Sequence, residues 1–168
     1  MINGRSEIAN AASAPMNSEL AQTWNRICSF ELDDVDAEKP FSAVLAEEMD
    51  WDAPFTQLAI SEYKRFMLLV SIFDDRMVPS IDVDTVWHLH LLYTRSYQKF
   101  CRGALGLPFV HHEPAKGNSG ENAEYKQLYR ETLARYRELF GKPPEIIWGG
   151  EAGVFGKAPL ASLSAESQ

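Results

Sequence analysis

Apolar and aromatic side chains recur at intervals of three and four residues along this sequence, most regularly over residues 59–73 and again over residues 83–101. This spacing places them in one stripe along an α-helix and predicts two long amphipathic helices. No alternating pattern of useful length indicates a strand, and Phe109-Val110 is the longest extended piece that we expect. The sequence therefore predicts an all-α fold. The first stripe consists of Ala59, Tyr63, Phe66, Val70 and Phe73.

Capping and helix-breaking residues divide the chain into about five helices. Ser18 can cap the first helix, and Gly141 follows the last long one. We predict a single-domain, irregular helical bundle over residues 17–148, with disordered tails at residues 1–16 and 149–168, where small and polar residues dominate. After the first helix, the expected helices cover residues 42–49, 54–73, 81–102 and 121–140, and residues 146–148 form a short apolar anchor.

The excess of acidic over basic side chains indicates which classes of binding partner the protein can have. The chain has 168 residues, with 24 acidic and 16 basic side chains and a net charge of −8. A protein that displaces counterions from a phosphate backbone needs a basic surface, so we expect a protein or small-molecule partner and not a nucleic acid. No apolar run approaches the roughly 20 residues that cross a bilayer, and Met1–Met16 is not a signal peptide by its pattern. We therefore predict a cytoplasmic protein without membrane association.

The segment Asp84-Thr85-Val86-Trp87-His88-Leu89-His90 has the greatest density of chemically reactive side chains. Successive residues on a helix turn by about 100°, so His88 and His90 lie about 200° apart and cannot share one ion. His88 lies one turn after Asp84 on the polar side. His90 falls in an arc of roughly 80° that we expect to be buried and to line a pocket or the outer shell of a site. That arc contains Trp87, His90, Thr94, Tyr97 and Cys101.

A metal site is one interpretation of this segment. Asp84 and His88, at i and i+4, can point at the same ion. The chain between Cys101 and His111 is long enough to bring His111 or His112 back onto the helix. We hypothesise one transition metal (Zn, Fe or Mn) ligated by Asp84, His88 and one of those two histidines, with open positions for a substrate. The hypothesis requires the donor atoms to converge to about 4 Å.

The same residues also have a structural interpretation. An Asp–His pair at i and i+4 is a common helix-surface contact, and a buried histidine is usually a hydrogen-bonded core residue. Cys101 and His90 lie about 16 Å apart along a regular helix, which is too far for a nucleophile–base pair. A protein-interaction or adaptor module, in which the His, Tyr and Cys side chains are internal structure, therefore stays open beside a metal-dependent enzyme.

Spaced motifs run through the predicted helical region. They are Glu62-Tyr63-Lys64-Arg65-Phe66, Val83-Asp84, Trp87-His88-Leu89-His90, Thr94, Tyr97, Cys101, Gly106, His111-His112 and Pro114. In this order they resemble the glycine-rich domain-containing protein-like (GRDP-like) family, in particular its bacterial members, over about residues 30–148. The resemblance implies a helical domain and does not indicate a particular reaction.

The chain departs from the family pattern at two places. Bacterial members usually have an acidic residue just before the Cys, and Phe100 stands there in this sequence, which argues against a ligand at that position. After Pro114, Ala115-Lys116-Gly117 replaces an aromatic, glycine-rich continuation, so a pocket shaped by that continuation would differ. Plant members have additional glycine-rich regions, and roles tied to those regions do not transfer to this chain.

Overall fold

The computed structural model describes residues 18–73, 75–112 and 119–149, and over these residues the fold is all-α, as the sequence predicts. The expected tails lie outside the described residues, apart from Gly149. The structure has more helices than the five expected. The predicted helix over residues 81–102 is divided into shorter elements, and the predicted apolar anchor over residues 146–148 forms a short helix. The elements are α1 (Ser18–Ser29), α2 (Phe41–Met49), α3 (Ala53–Ile72), α4 (Ile81–Leu92), α5 (Thr94–Lys99), the π-helical segment π1 (Phe100–Leu105), α6 (Ser119–Phe140) and α7 (Glu145–Trp148).

Helix α3 is the central element of the bundle. Asp52 caps it by accepting a 2.8 Å hydrogen bond from the Phe55 N–H, and Pro54 occupies its first turn. The predicted stripe faces the core, since Ala59, Tyr63 and Phe66 are fully buried. Helix α3 packs against α1, α2, α4, α6, α7 and π1, so it holds the other helices in place around one core. Within the described part of the chain, no helix is long and apolar enough to cross a bilayer.

The prediction of a single helix over residues 81–102 is wrong, because the chain leaves helical geometry at Tyr93. This residue has φ −84° and ψ 58°, and its N–H donates to the His90 carbonyl. The backbone then restarts as α5 and continues into π1, which ends at Gly106. One predicted member of the buried arc is moved by the break: Thr94 is exposed, whereas Tyr97 and Cys101 are buried.

The last two helices close the other side of the bundle. Tyr129, Thr132 and Tyr136 of α6 are buried along the predicted seam, and Gly141, with φ 77°, ends the helix. The short helix α7 buries Ile147 and Trp148 against α3 and α4 and leaves Ile146 exposed.

Candidate metal centre

Helix α4 presents two of the predicted ligands on its outer side. The Ser80 hydroxyl caps the helix by accepting a hydrogen bond from the Val83 N–H at 3.3 Å. Asp84 and His88 follow one turn apart, with the His88 Nε2 3.6 Å from the Asp84 Oδ2. Their side chains are 35% and 46% exposed, so this face of α4 is open to solvent.

His112 is the third residue of the cluster. Its Nε2 lies 2.7 Å from the Asp84 Oδ1 and 3.0 Å from the His88 Nε2. One donor atom from each of the three side chains lies within 4.8 Å of the others. The two contacts of the His112 Nε2 are shorter than about 4 Å, whereas the full set of three donor atoms is bounded by 4.8 Å. Of the two adjacent histidines, the structure brings His112 to α4 and not His111.

The three contacts cannot all be hydrogen bonds at the same time. A neutral imidazole nitrogen has either one proton or one lone pair, and a carboxylate only accepts. If the His112 Nε2 lacks its proton, its lone pair faces a carboxylate oxygen at 2.7 Å. If both ring nitrogens are protonated, their protons oppose each other across 3.0 Å. If only the His112 Nε2 is protonated, its proton can be shared between the Asp84 Oδ1 and the His88 Nε2, which satisfies both short contacts. A metal cation would instead receive a lone pair from each of the three side chains.

Aromatic side chains from α4 and α5 hold the segment that carries His112. The Trp87 Nε1–H donates to the Tyr97 hydroxyl at 3.0 Å, and that hydroxyl donates to the Val110 carbonyl at 2.6 Å. Burial raises the pKa of Tyr97, so the hydroxyl keeps its proton and remains a donor. The ring of His112 packs edge-on against Trp87, with the ring centroids 4.5 Å apart.

Cys101 is buried behind the same segment. Burial raises the pKa of its thiol, and hydrogen bonds with the Val110 backbone and with Tyr97 oppose the shift without cancelling it. The thiol therefore stays protonated at neutral pH and is a poor nucleophile and a poor metal ligand. The contact of the thiol with the Val110 backbone helps to hold Val110, which lies two residues before His112.

His111 lies outside the cluster. Its side chain is exposed, and its ring packs against Phe109 at 4.9 Å between centroids. The ring of His111 packs on Phe109, whereas the ring of His112 packs on Trp87 of α4, so the two adjacent histidines face different neighbours. The sequence could not select between them, since the choice depends on where Val110 docks.

His90 belongs to the core and not to the metal cluster. It has no exposed surface; its Nδ1 lies 2.8 Å from the Tyr63 hydroxyl and its Nε2 lies 3.2 Å from the Ser96 hydroxyl. Burial lowers the pKa of His90 to about 3, so the imidazole is neutral at physiological pH. The Ser96–His90–Tyr63 arrangement has the order of a nucleophile, a base and an orienting group. A base with so low a pKa is too weak to take the serine proton, so we interpret this network as structural.

Sequence reasoning missed a second polar network, which surrounds Glu62 on α3. This carboxylate is fully buried; its Oε2 accepts hydrogen bonds from the Tyr136 hydroxyl and the Trp148 Nε1–H, each at 2.8 Å. Its Oε1 forms an ion pair with Arg65, whose guanidinium also lies over the Phe140 ring. The available signal was the position of Glu62, three residues after Ala59 and inside the predicted apolar stripe.

The fold and this cluster define a class of protein: a small helical domain with two histidines and one aspartate converging on its surface. The sequence model of the UCP032817-like family matches residues 27–134, and the chain belongs to this family. All three cluster residues lie inside the matched range.

Two curated plant proteins are similar to this chain, and they confirm the GRDP-like resemblance. Glycine-rich domain-containing protein 1 of Arabidopsis thaliana is 29% identical over 111 residues, which cover 63% of this chain and 13% of that protein. Glycine-rich domain-containing protein 2 of the same plant is 24% identical over 144 residues, which cover 81% of this chain and 18% of that protein. The chain thus spans less than a fifth of either relative. No solved structure matches the chain.

Proposed function

We propose that this chain binds one divalent transition metal (Zn, Fe or Mn) through Asp84, His88 and His112, and that it is a metal-dependent enzyme. The observation that carries the proposal is the convergence of one carboxylate oxygen and two imidazole nitrogens, each with a lone pair for a cation, within 4.8 Å of one another. A cytoplasmic location and the absence of a nucleic-acid partner remain predictions from the sequence.

The spacing of the donors suits such an ion. Zn, Fe and Mn bind imidazole nitrogen and carboxylate oxygen at about 2.0–2.2 Å, so two ligands of one ion lie roughly 3.0–3.5 Å apart. The His112 Nε2 lies 2.7 Å from the Asp84 Oδ1 and 3.0 Å from the His88 Nε2, and the His88 Nε2 lies 3.6 Å from the other carboxylate oxygen, Oδ2, so these separations are close to that range. Two of the three side chains already lie one turn apart on α4, so small side-chain rotations would bring the donor atoms around one ion.

Three protein ligands leave coordination positions for water or a substrate. A site with open positions and a solvent-facing side supports catalysis, whereas a structural metal is usually enclosed by four protein ligands. A metal held in this way can polarise a carbonyl or phosphoryl oxygen, or lower the pKa of a bound water to generate a nucleophile. The chemistry supports hydrolysis or another Lewis-acid reaction of a small molecule.

The test is metal content and affinity in protein purified without a polyhistidine tag. We expect about one equivalent of metal by mass spectrometry after incubation with Zn²⁺ or Mn²⁺ and dialysis. His112→Ala should weaken binding by about 100-fold or more, since even changes around the ligands cost about 10- to 100-fold. His111→Ala is the matched control: it removes the neighbouring, exposed histidine and should keep the wild-type affinity.

A bound metal should also raise the melting temperature. Free metal at about 100 times its dissociation constant adds about 2.7 kcal/mol to the free energy of unfolding, which corresponds to roughly 5–15 °C in a domain of this size. Less than about 0.1 equivalent of metal together with no thermal shift would contradict the proposal and favour the protein-interaction alternative.

A further inference from the structure

We propose that Tyr97 is the positioning residue of this centre: its hydroxyl holds the Val110 carbonyl and thereby places His112 against Asp84 and His88. This inference rests on the proposed metal function, because it assigns Tyr97 a part in the same site. It adds a residue that neither ligates the metal nor lies on the helix that supplies the other two ligands.

The segment that carries His112 has little backbone support of its own. Residues 108–112 are irregular, and they make no backbone–backbone hydrogen bond with the other described residues. Their position depends on side chains, and the buried contact from the Tyr97 hydroxyl to the Val110 carbonyl is the shortest of these at 2.6 Å. Two residues beyond this contact, the backbone brings His112 over Asp84.

The Tyr97 hydroxyl joins two groups in this arrangement. It accepts a hydrogen bond from the Trp87 indole and donates its one proton to the Val110 carbonyl, and the Cys101 thiol also contacts it. Trp87 in turn packs against the His112 ring at 4.5 Å. Tyr97 therefore fixes both the backbone before His112 and the aromatic wall beside it.

Removing the hydroxyl leaves a buried donor and a buried acceptor without their partner. The Trp87 N–H and the Val110 carbonyl would move to find water, because an unpaired buried polar group costs more free energy than a small rearrangement. The segment would shift, and a shift of about 1 Å at His112 is enough to separate it from the other two ligands.

Tyr97→Phe tests this with a close control. We expect it to weaken Zn²⁺ and Mn²⁺ binding by about 10- to 100-fold, the size typical of residues that orient ligands. The control is Tyr129→Phe: Tyr129 is also 1% exposed and also donates to a backbone carbonyl, that of Trp148 at 2.7 Å, but on the α6–α7 side. It should lower the melting temperature without changing the affinity.

A second readout separates this inference from the proposed function. In metal-free protein, NMR should show a nuclear Overhauser contact between the His112 and Trp87 rings, and Tyr97→Phe should remove it while Tyr129→Phe keeps it. If the wild-type chain binds no metal, the proposed function fails, and the ring contact still decides the role of Tyr97. Equal affinity or an unchanged ring contact in Tyr97→Phe would overturn the inference, and so would an equal loss of affinity in Tyr129→Phe.

Discussion

Glu62 shows how a single charged residue can be kept inside this bundle. Moving a carboxylate out of water costs several kcal/mol unless a partner charge and hydrogen bonds replace the lost hydration. Here Arg65 supplies the charge, and Tyr136 and Trp148 donate to the same carboxylate oxygen. The four side chains come from α3, α6 and α7, so this network joins three helices.

Glu62→Gln should therefore be strongly destabilising. The amide removes the charge opposite Arg65 and places an NH₂ group among side chains that donate, so the free energy of unfolding should fall by about 3–5 kcal/mol. Urea unfolding measures the loss. Glu124→Gln is the control, because Glu124 pairs with Arg76 on the surface and both side chains are more than half exposed. Glu124→Gln should change the free energy of unfolding by no more than about 0.5 kcal/mol. A similar loss in both variants would show that the buried network around Glu62 stabilises the fold no more than a surface ion pair does.

Residue by residue, the sequence predicts part of the candidate site. The i, i+4 spacing of Asp84 and His88 follows from helix geometry, and the burial of His90 follows from its position in the stripe. The identity of the third residue does not follow from local pattern. It is decided by a hydrogen bond between residues thirteen positions apart, Tyr97 and Val110, which no local rule contains.

At the level of helices, the break at Tyr93 is the main feature that the sequence does not reveal. Neither glycine nor proline occurs there, and the local preferences permit a continuous helix. Tertiary contacts across the break support the observed geometry: the Tyr93 ring packs on Phe41 at 5.3 Å, and Ser96 contacts the His90 ring. Periodicity predicted the helices on either side but could not predict an interruption whose support comes from α2.

The end of π1 offers a test of backbone conformation. Gly106 has φ 74°, a left-handed conformation in which a side chain is strained although a Cβ there meets no atom. Gly106→Ala should cost about 1–2 kcal/mol in the free energy of unfolding. Gly103→Ala is the matched control in the same segment: its Cβ also meets nothing, and its φ is not in the positive range, so alanine should be neutral or stabilise by up to about 1 kcal/mol. Equal effects at the two positions in thermal unfolding would contradict this account.

For the molecule as a whole, His90 is the core residue that aromatic side chains from several helices contact. Its ring contacts Phe30 after α1, Phe41 of α2, Tyr63 of α3 and Tyr97 of α5, with centroid distances of 5.2–6.2 Å. The ring is fully buried and none of these neighbours is a carboxylate, so the charged form loses its hydration without a compensating charge, which depresses the pKa of His90. A proton on this ring therefore acts on the stability of the entire bundle.

The sign of the pH effect follows from the two pKa values. The unfolded chain binds a proton at His90 as pH falls below 6.5, whereas the folded chain does so only near its lowered pKa of about 3. Between those values the unfolded state binds more protons, so stability falls as pH falls. From about pH 7.5 to about pH 5, His90 should lower the free energy of unfolding by about 2 kcal/mol.

Urea unfolding at the two pH values measures this loss, and two variants assign it. His90→Gln removes the titrating ring, so the fall between the two pH values should be smaller than in the wild type by about 2 kcal/mol, whatever the variant's absolute stability. His111→Ala is the control for the loss of a histidine, because it leaves the His90 ring and its contacts with Tyr63 and Ser96 in place, and it should keep the wild-type fall. If His90→Gln loses as much stability on acidification as the wild type, the acid sensitivity of the bundle comes from groups other than His90.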